Sequence, residues 1–164
     1  MAPNEITDIN RPTIFLAGGI TDCPWWQDTI IEMLKPYDSG ILLNPRRRNF
    51  PIHDPMAAKK QIEWEYYALN NCDIFSMWFS SGESPQPICM YELGRHLALR
   101  CSKPETILIG VEKGYKRAND VYIQTRLVNK TIALKISSKL NQHARNILHA
   151  VEVSKIVERK RNGG

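Results

Sequence analysis

Short β-rich apolar runs alternate along this chain with segments whose apolar residues recur at helical spacing, and that alternation restricts the fold more than any other feature. Thr13-Ile14-Phe15-Leu16-Ala17 is the first run, stopped by Gly18-Gly19. Trp26, Ile30, Met33 and Leu34 then recur at helical spacing as far as Pro36. Ile41-Leu42-Leu43 predicts a second strand, closed by Asn44-Pro45 and an arginine triplet. A polar loop follows, and residues 56–70 predict a helix with Ile62, Tyr66 and Leu69 on its apolar face. Asp73-Ile74-Phe75-Ser76-Met77-Trp78-Phe79 is almost continuously apolar, as a central strand covered on both faces should be. After the Ser-, Gly- and Pro-rich loop 80–87, Pro87 suits the first turn of a helix running to about Arg100. Met90, Leu93 and Leu97 form its expected packing stripe. Thr106-Ile107-Leu108-Ile109-Gly110 predicts a fourth strand, Thr131-Ile132-Ala133-Leu134 a fifth, and residues 138–157 a long terminal helix. Residues 119–129 fit either a helix or irregular chain.

Strands separated by helices at this spacing predict an α/β fold with a parallel sheet covered on both faces. Five strands suit a flavodoxin-like, doubly wound five-stranded sheet. The 164 residues make a single domain large enough to bury its own core. Its expected extent is 12–157, between a flexible N-terminus, 1–11, and a flexible basic tail, 158–164. No apolar stretch approaches the ~20 residues of a membrane span, and the polar, acid-bearing first residues do not read as a secretory signal. A cytoplasmic protein is expected.

Composition narrows the chemistry further. Cys23, Cys72, Cys89 and Cys101 lie in or beside apolar segments without C-x-x-C pairing, as structural free thiols do, and His53, His96, His143 and His149 show no metal-ligand spacing. No metal is expected. The net charge of +5 is concentrated in Arg46-Arg47-Arg48 and in the stretch 155–161, which argues against a nucleic-acid surface and is compatible with an anionic small ligand.

Ligands of doubly wound sheets bind beyond the carboxyl ends of the strands, which points to the loops 18–24, 44–55 and 79–87. The Gly18-Gly19 turn lets a ligand approach the backbone, although Asp22 and Pro24 rule out a G-x-G-x-x-G pattern. Glu92, early in the helix after the central strand's loop, is a carboxylate that the helix N-terminus favours in its ionised form, although the wheel turns it away from the apolar stripe, as a solvated glutamate would be. Glu63 and Glu65 stand among Trp64, Tyr66 and Tyr67, where apolar neighbours can raise a carboxyl pKa. One ionised and one protonatable carboxyl in a shared pocket are what glycosyl transfer requires.

The ordered set Ile14-Phe15-Leu16-Ala17-Gly18-Gly19-Ile20, Asn44-Pro45-Arg46-Arg47, Trp64-Glu65, Asp73 and Tyr91-Glu92-Leu93-Gly94-Arg95 resembles the nucleoside 2-deoxyribosyltransferase family, including related deoxynucleoside 5'-monophosphate N-glycosidases. The resemblance covers about residues 12–135. It implies Glu92 as a nucleophile forming a covalent glycosyl-enzyme intermediate, and Glu65 as the acid that serves the base. It also implies a substrate pocket with contributions from Gly18, Gly19, Ile20, Asp22, Asn44, Arg46 and Met90, no metal or organic cofactor, and a homodimer or higher homo-oligomer. The substrates implied are a nucleoside or nucleoside monophosphate and a nucleobase. Asp73 is read as closing the strand start. The loop before Glu92 lacks the aspartate that the family's transferases often carry. The related nucleotide hydrolases place hydroxyls there to hold phosphate, which makes Ser80, Ser81 and Ser84 candidates, with Glu83 the loop's only acid. Attack by a second base gives transfer, and attack by water gives hydrolysis. The altered loop also admits a non-catalytic nucleotide-binding or sensing module with the same fold.

Overall fold

The computed structural model describes residues 11–51 and 53–161. Residues 1–10 and 162–164, parts of the two terminal segments set apart above, lie outside that range. The element order is β1 (Thr13–Gly18), α1 (Trp26–Leu34), β2 (Ile41–Leu43), α2 (Pro55–Asn71), β3 (Ile74–Phe79), α3 (Pro87–Arg100), β4 (Ile107–Val111), α4 (Ala118–Val128), α5 (Lys130–Leu134) and α6 (Leu140–Arg161). The strands form one parallel sheet in the order β2-β1-β3-β4.

The central strands are apolar at nearly every position because both faces are covered, and the period of two sorts their side chains between two cores. Phe15, Ala17, Phe75, Met77, Phe79, Ile107, Ile109 and Val111 face one core, shared with α2, α3, α4 and α5. Ile14, Leu16, Ile74, Trp78 and Leu108 face the other, filled by Trp26, Ile30 and Leu34 of α1 and by Ala144, Ile147 and Val151 of α6. Ser76 and Gly110 interrupt that second face. His143 of α6 occupies the space they leave, 2.9 Å from the Ser76 hydroxyl through Nε2 and 2.9 Å from the Ser137 hydroxyl through Nδ1. A Cβ on Gly110 would lie 3.0 Å from the His143 ring and 2.1 Å from Trp78.

The expected fifth strand is a helix. Thr-Ile-Ala-Leu is too short a run to distinguish strand from helix by pattern. Asn129 decides it by capping, its Oδ1 accepting from the N–H groups of Thr131 at 2.8 Å and Ile132 at 3.1 Å. The place of a fifth strand beside β4 is held by one residue: Ser137 donates its N–H to Ile109 O at 3.0 Å and accepts from Val111 N at 2.8 Å. The described sheet therefore has four strands in the expected doubly wound arrangement. Asp73 closes the sheet's lower edge, accepting from the Thr13 N–H at 2.7 Å and hydroxyl at 2.8 Å.

The face of α2 differs from its expected one. Ile62 and Tyr66 are exposed, whereas Gln61, Trp64, Glu65, Ala68 and Leu69 turn inward, with the Trp64 ring 6.0 Å from Phe15. This rotation brings Glu65 toward the sheet and leaves Glu63 outside beside Lys59. Smaller differences follow the same rule of tertiary contact: Met33 of α1 and Ile156 of α6 are exposed, and residues 119–129 are largely helical. Among the described residues, no helix is long and apolar enough to cross a membrane.

Candidate active site

The strand order reverses at β1, which pairs with β2 on one side and β3 on the other, so the chains leaving β1 and β3 diverge at their carboxyl ends. A cavity of about 200 Å³ lies there, walled by the residues after β1, by Pro45, by Glu65 of α2 and by the start of α3.

Gly18 and Gly19 form its floor, for a reason the sequence did not suggest. Gly18 has φ +152°, and a Cβ there would lie 2.3 Å from Trp78 O and 2.5 Å from the Trp26 ring. A Cβ on Gly19 would lie 2.3 Å from Cys23 Sγ and 2.6 Å from Gln86 Oε1. The protein's own packing requires these glycines. The loop beyond them is braced by Arg46, whose guanidinium donates to the carbonyls of Ile20 (3.1 Å), Cys23 (3.0 Å) and Pro24 and lies 3.9 Å over the Trp25 ring. Asn44 supports the brace by accepting the Arg46 N–H at 2.9 Å.

Glu65 and Glu92 reach the cavity from two different helices. Gln61, one turn before Glu65, donates one amide group both to Glu65 Oε1 at 2.7 Å and to Pro45 O at 2.9 Å, which fixes the carboxyl against the wall. Burial raises the Glu65 pKa, opposed by that hydrogen bond and by the charge of Arg47. Burial, then the charge of Glu65, push Glu92 up to about 7. The expectation that the helix end holds Glu92 ionised is thus overturned. Glu92 lies in the second turn of α3, beyond the first turn where the helix field is strong, and desolvation dominates. Both carboxyls are thus held above the ordinary carboxylate range, Glu92 further by the charge of Glu65.

The loop between β3 and α3 ends in a strained residue. Gln86, the N-cap of α3, adopts φ 48° and ψ 55°, a left-handed conformation that costs a residue with a side chain on the order of 1 kcal/mol. Its Nε2 donates to Ser80 O at 2.8 Å, while its Oε1 is buried at the cavity wall without a partner. Such an orphaned acceptor costs roughly 1–3 kcal/mol. Tyr115 steadies the loop by donating its hydroxyl to Pro85 O at 3.0 Å.

Of the residues singled out in the sequence, the structure brings Gly18, Gly19, Ile20, Ser84, Glu65 and Glu92 to the cavity wall. Asp22 sits at the loop tip, exposed, with φ 55°. Asn44 and Arg46 act behind the wall as described, Ser80 is buried beneath the loop, and Met90 packs against the α3 core. Ser81 is committed to Glu112, to which it donates both N–H and hydroxyl, and Glu83 pairs with Lys116 outside. Gln86 was missed, although a polar residue directly before a helix-opening proline is a recognisable cap position. Cys89 also lines the wall, and burial, then the charge of Glu92, push its thiol up to about 12, too high for a thiolate nucleophile near neutral pH.

A family model described as nucleoside 2-deoxyribosyltransferase like matches residues 11–115, well over half of the chain and every residue of the cavity wall. The chain belongs to this family. A search of curated proteins finds no match. As a member of the nucleoside 2-deoxyribosyltransferase-like family, it has nucleosides and nucleobases as its implied ligands and glycosyl-transfer or glycosidase chemistry as its implied type of reaction.

Proposed function

We propose that the protein exchanges or hydrolyses the N-glycosidic bond of a 2'-deoxynucleoside through a covalent glycosyl-Glu92 intermediate. The observation that carries this reading is the convergence of Glu92 and Glu65, from separate helices, on one cavity where burial raises the proton affinity of both and the charge of Glu65 adds to that of Glu92.

The chemistry balances with these two groups alone. An ionised Glu92 oxygen attacks the anomeric carbon and forms a C–O ester bond as the C–N bond breaks. The bonding pair leaves with the base nitrogen, which takes the proton held by Glu65. In the second half, a base nitrogen or a water oxygen attacks the same carbon. Glu65 accepts the proton it loses, and Glu92 departs as carboxylate. The reactive form is the singly protonated pair with its proton on Glu65, while Gln61 keeps that carboxyl oriented.

The test is incubation with 2'-deoxynucleosides, with and without a free acceptor base, followed by chromatography of the bases. Base released or exchanged is the expected result, with Glu92→Ala reduced by more than about 10⁴-fold. Retention of wild-type activity by Glu92→Ala would sink the reading. Ligand-dependent melting shifts without turnover would instead support the non-catalytic binding module.

A further inference from the structure

We propose that Asn44, Pro45 and Gln61 act as a positioning relay that keeps the proton of Glu65 on Oε2, the oxygen left free for the departing base. This rests on the N-glycosidic reading of Glu92 and Glu65 and concerns how the acid of that site is held.

The relay begins behind the cavity, just past the end of β2. The Arg46 N–H donates to Asn44 Oδ1 at 2.9 Å, which fixes the peptide unit between Pro45 and Arg46. In a trans peptide the N–H and the C=O point in opposite directions, so holding one aims the other. The Pro45 carbonyl, aimed in this way, accepts from Gln61 Nε2 at 2.9 Å. Pro45 is buried and forms part of the wall, whereas Gln61 stands behind it, one helical turn before Glu65 in α2.

Pro45 O also decides which way the Gln61 amide faces. Reversing the amide would set its oxygen against the Pro45 carbonyl, two acceptors with no proton between them. The amide therefore presents its nitrogen, which also donates to Glu65 Oε1 at 2.7 Å. Its own oxygen is left buried without a partner, so these two donations alone hold the amide in place.

A protonated carboxyl has one oxygen that accepts hydrogen bonds well and one that carries the proton. Occupation of Oε1 by the Gln61 N–H assigns the proton to Oε2. Oε2 makes no hydrogen bond among the described residues, and the carboxyl lines the cavity. As the C–N bond breaks, the Oε2–H bond breaks with it and the base nitrogen takes the proton. The charge left on the carboxylate is met by the Gln61 N–H, and a hydrogen bond to an ionised group is the stronger one, so the relay helps most as the proton leaves. The same bond works against the rise that burial imposes on Glu65. The other charged and titratable groups facing this carboxyl are Arg47 after β2 and Cys89 and Glu92 of α3.

Steady-state kinetics of base release across pH, on the 2'-deoxynucleoside that the wild type turns over fastest, tests the relay. Gln61→Met keeps the length and removes the donor. It is expected to lower kcat by about 10- to 100-fold with little change in KM, the scale on which a misplaced catalytic group slows a reaction. The alkaline limb of kcat/KM is expected to move to higher pH, because Glu65 loses a donor that favours its ionised form. Asn44→Leu, which frees the peptide unit, is expected to act in the same direction, and Asn44→Asp, which keeps the acceptor, to recover most of the lost kcat. If Gln61→Met does not fold, this second pair carries the same test. A side chain that only fills space would lower Tm and leave kcat and the alkaline limb where they are. That result, or a rise in KM alone, overturns the proposal. An Asn44→Asp variant as impaired as Asn44→Leu removes Asn44 from the relay. In each of these cases the N-glycosidic reading stands, because Glu92→Ala and Glu65→Gln test it separately. A wild type that releases no base overturns both readings together.

Discussion

Under the proposed mechanism the carboxyl pair is the residue-scale feature on which activity would turn, and its pH dependence follows from its coupling. The form that can react holds one proton. It is depleted at low pH, where both groups are protonated, and again above about 7, where the pair gives up its last proton. A bell-shaped kcat/KM profile falling above about pH 7 is expected. Glu65→Gln should lower the rate by about 10²–10⁴-fold and abolish the alkaline limb, because Glu92 then ionises alone and more easily. A profile for Glu65→Gln parallel to the wild type would contradict the pairing. The same burial has a stability consequence of definite sign. The folded pKa of Glu92 lies above its unfolded value, so the unfolded chain releases this proton first, and stability falls as pH rises from the ordinary glutamate range through about 7. Glu92→Gln is therefore expected to raise Tm at pH 8, by a contribution of up to about 3 kcal/mol, and to change it little at pH 4. Thermal melts at the two pH values measure this.

At the scale of elements, α6 is keyed to the sheet by His143, and that key works only while the imidazole is neutral. Burial lowers its pKa to about 3. Here the folded value lies below the unfolded one, so the stability is fully present above about pH 6.5 and is lost as pH falls toward 3. Buried His96, stacked on Phe75 and lowered to about 4 by burial and then by Arg100, adds to the same acid limb. His143→Leu is expected to cost about 2–4 kcal/mol at pH 7 by orphaning the Ser76 hydroxyl and leaving that of Ser137 only its long bond to Ile109 O, and to flatten the decline between pH 6 and 4. Urea unfolding at several pH values reads both effects. A second element-scale expectation concerns the turn after β1. Gly18→Ala should destabilise strongly and disturb the cavity floor, since its Cβ would fall 2.3 Å from the backbone oxygen of Trp78. Wild-type Tm in this variant would contradict the packing role given to the glycine.

Across the whole molecule, the sheet order brings the loops after β1 and β3 and the start of α3 to one edge, with α2 beside them. Large apolar side chains are exposed on the two helices that supply the carboxyls: Ile62 and Tyr66 of α2 and Ile88 and Tyr91 of α3 are each more than half exposed, Ile88 at the cavity wall. These side chains support the self-association expected from the family resemblance. Light scattering on the eluted protein should give at least twice the monomer mass, and a double variant Ile88→Lys, Tyr91→Glu should reduce it; a monomeric wild type would remove this expectation. Hydrogen exchange should be slowest in β1 and β3, which lie inside the sheet and are buried along almost their whole length, and faster in the three half-buried residues of β2.

The alternation of apolar runs and helical spacings determined by itself the α/β class, four of the strands and the loops that carry the site, because strand and helix periods are local properties of the chain. The motifs singled out Glu92 and Glu65, and both reach the cavity wall. Tertiary structure alone decided the rest. The rotation of α2 that turns Glu65 inward and leaves Ile62 and Tyr66 exposed depends on Trp64 meeting Phe15, a contact between residues far apart in sequence. The loss of the fifth strand depends on Asn129 capping a helix where the apolar pattern was ambiguous. The raised proton affinity of Glu92 depends on how deeply α3 sets it and on Glu65 approaching from another element. A helical wheel turned Glu92 away from the core, and the cavity between elements is where that direction leads. Desolvation and charge coupling belong to the space between elements, and no spacing along one chain encodes them directly.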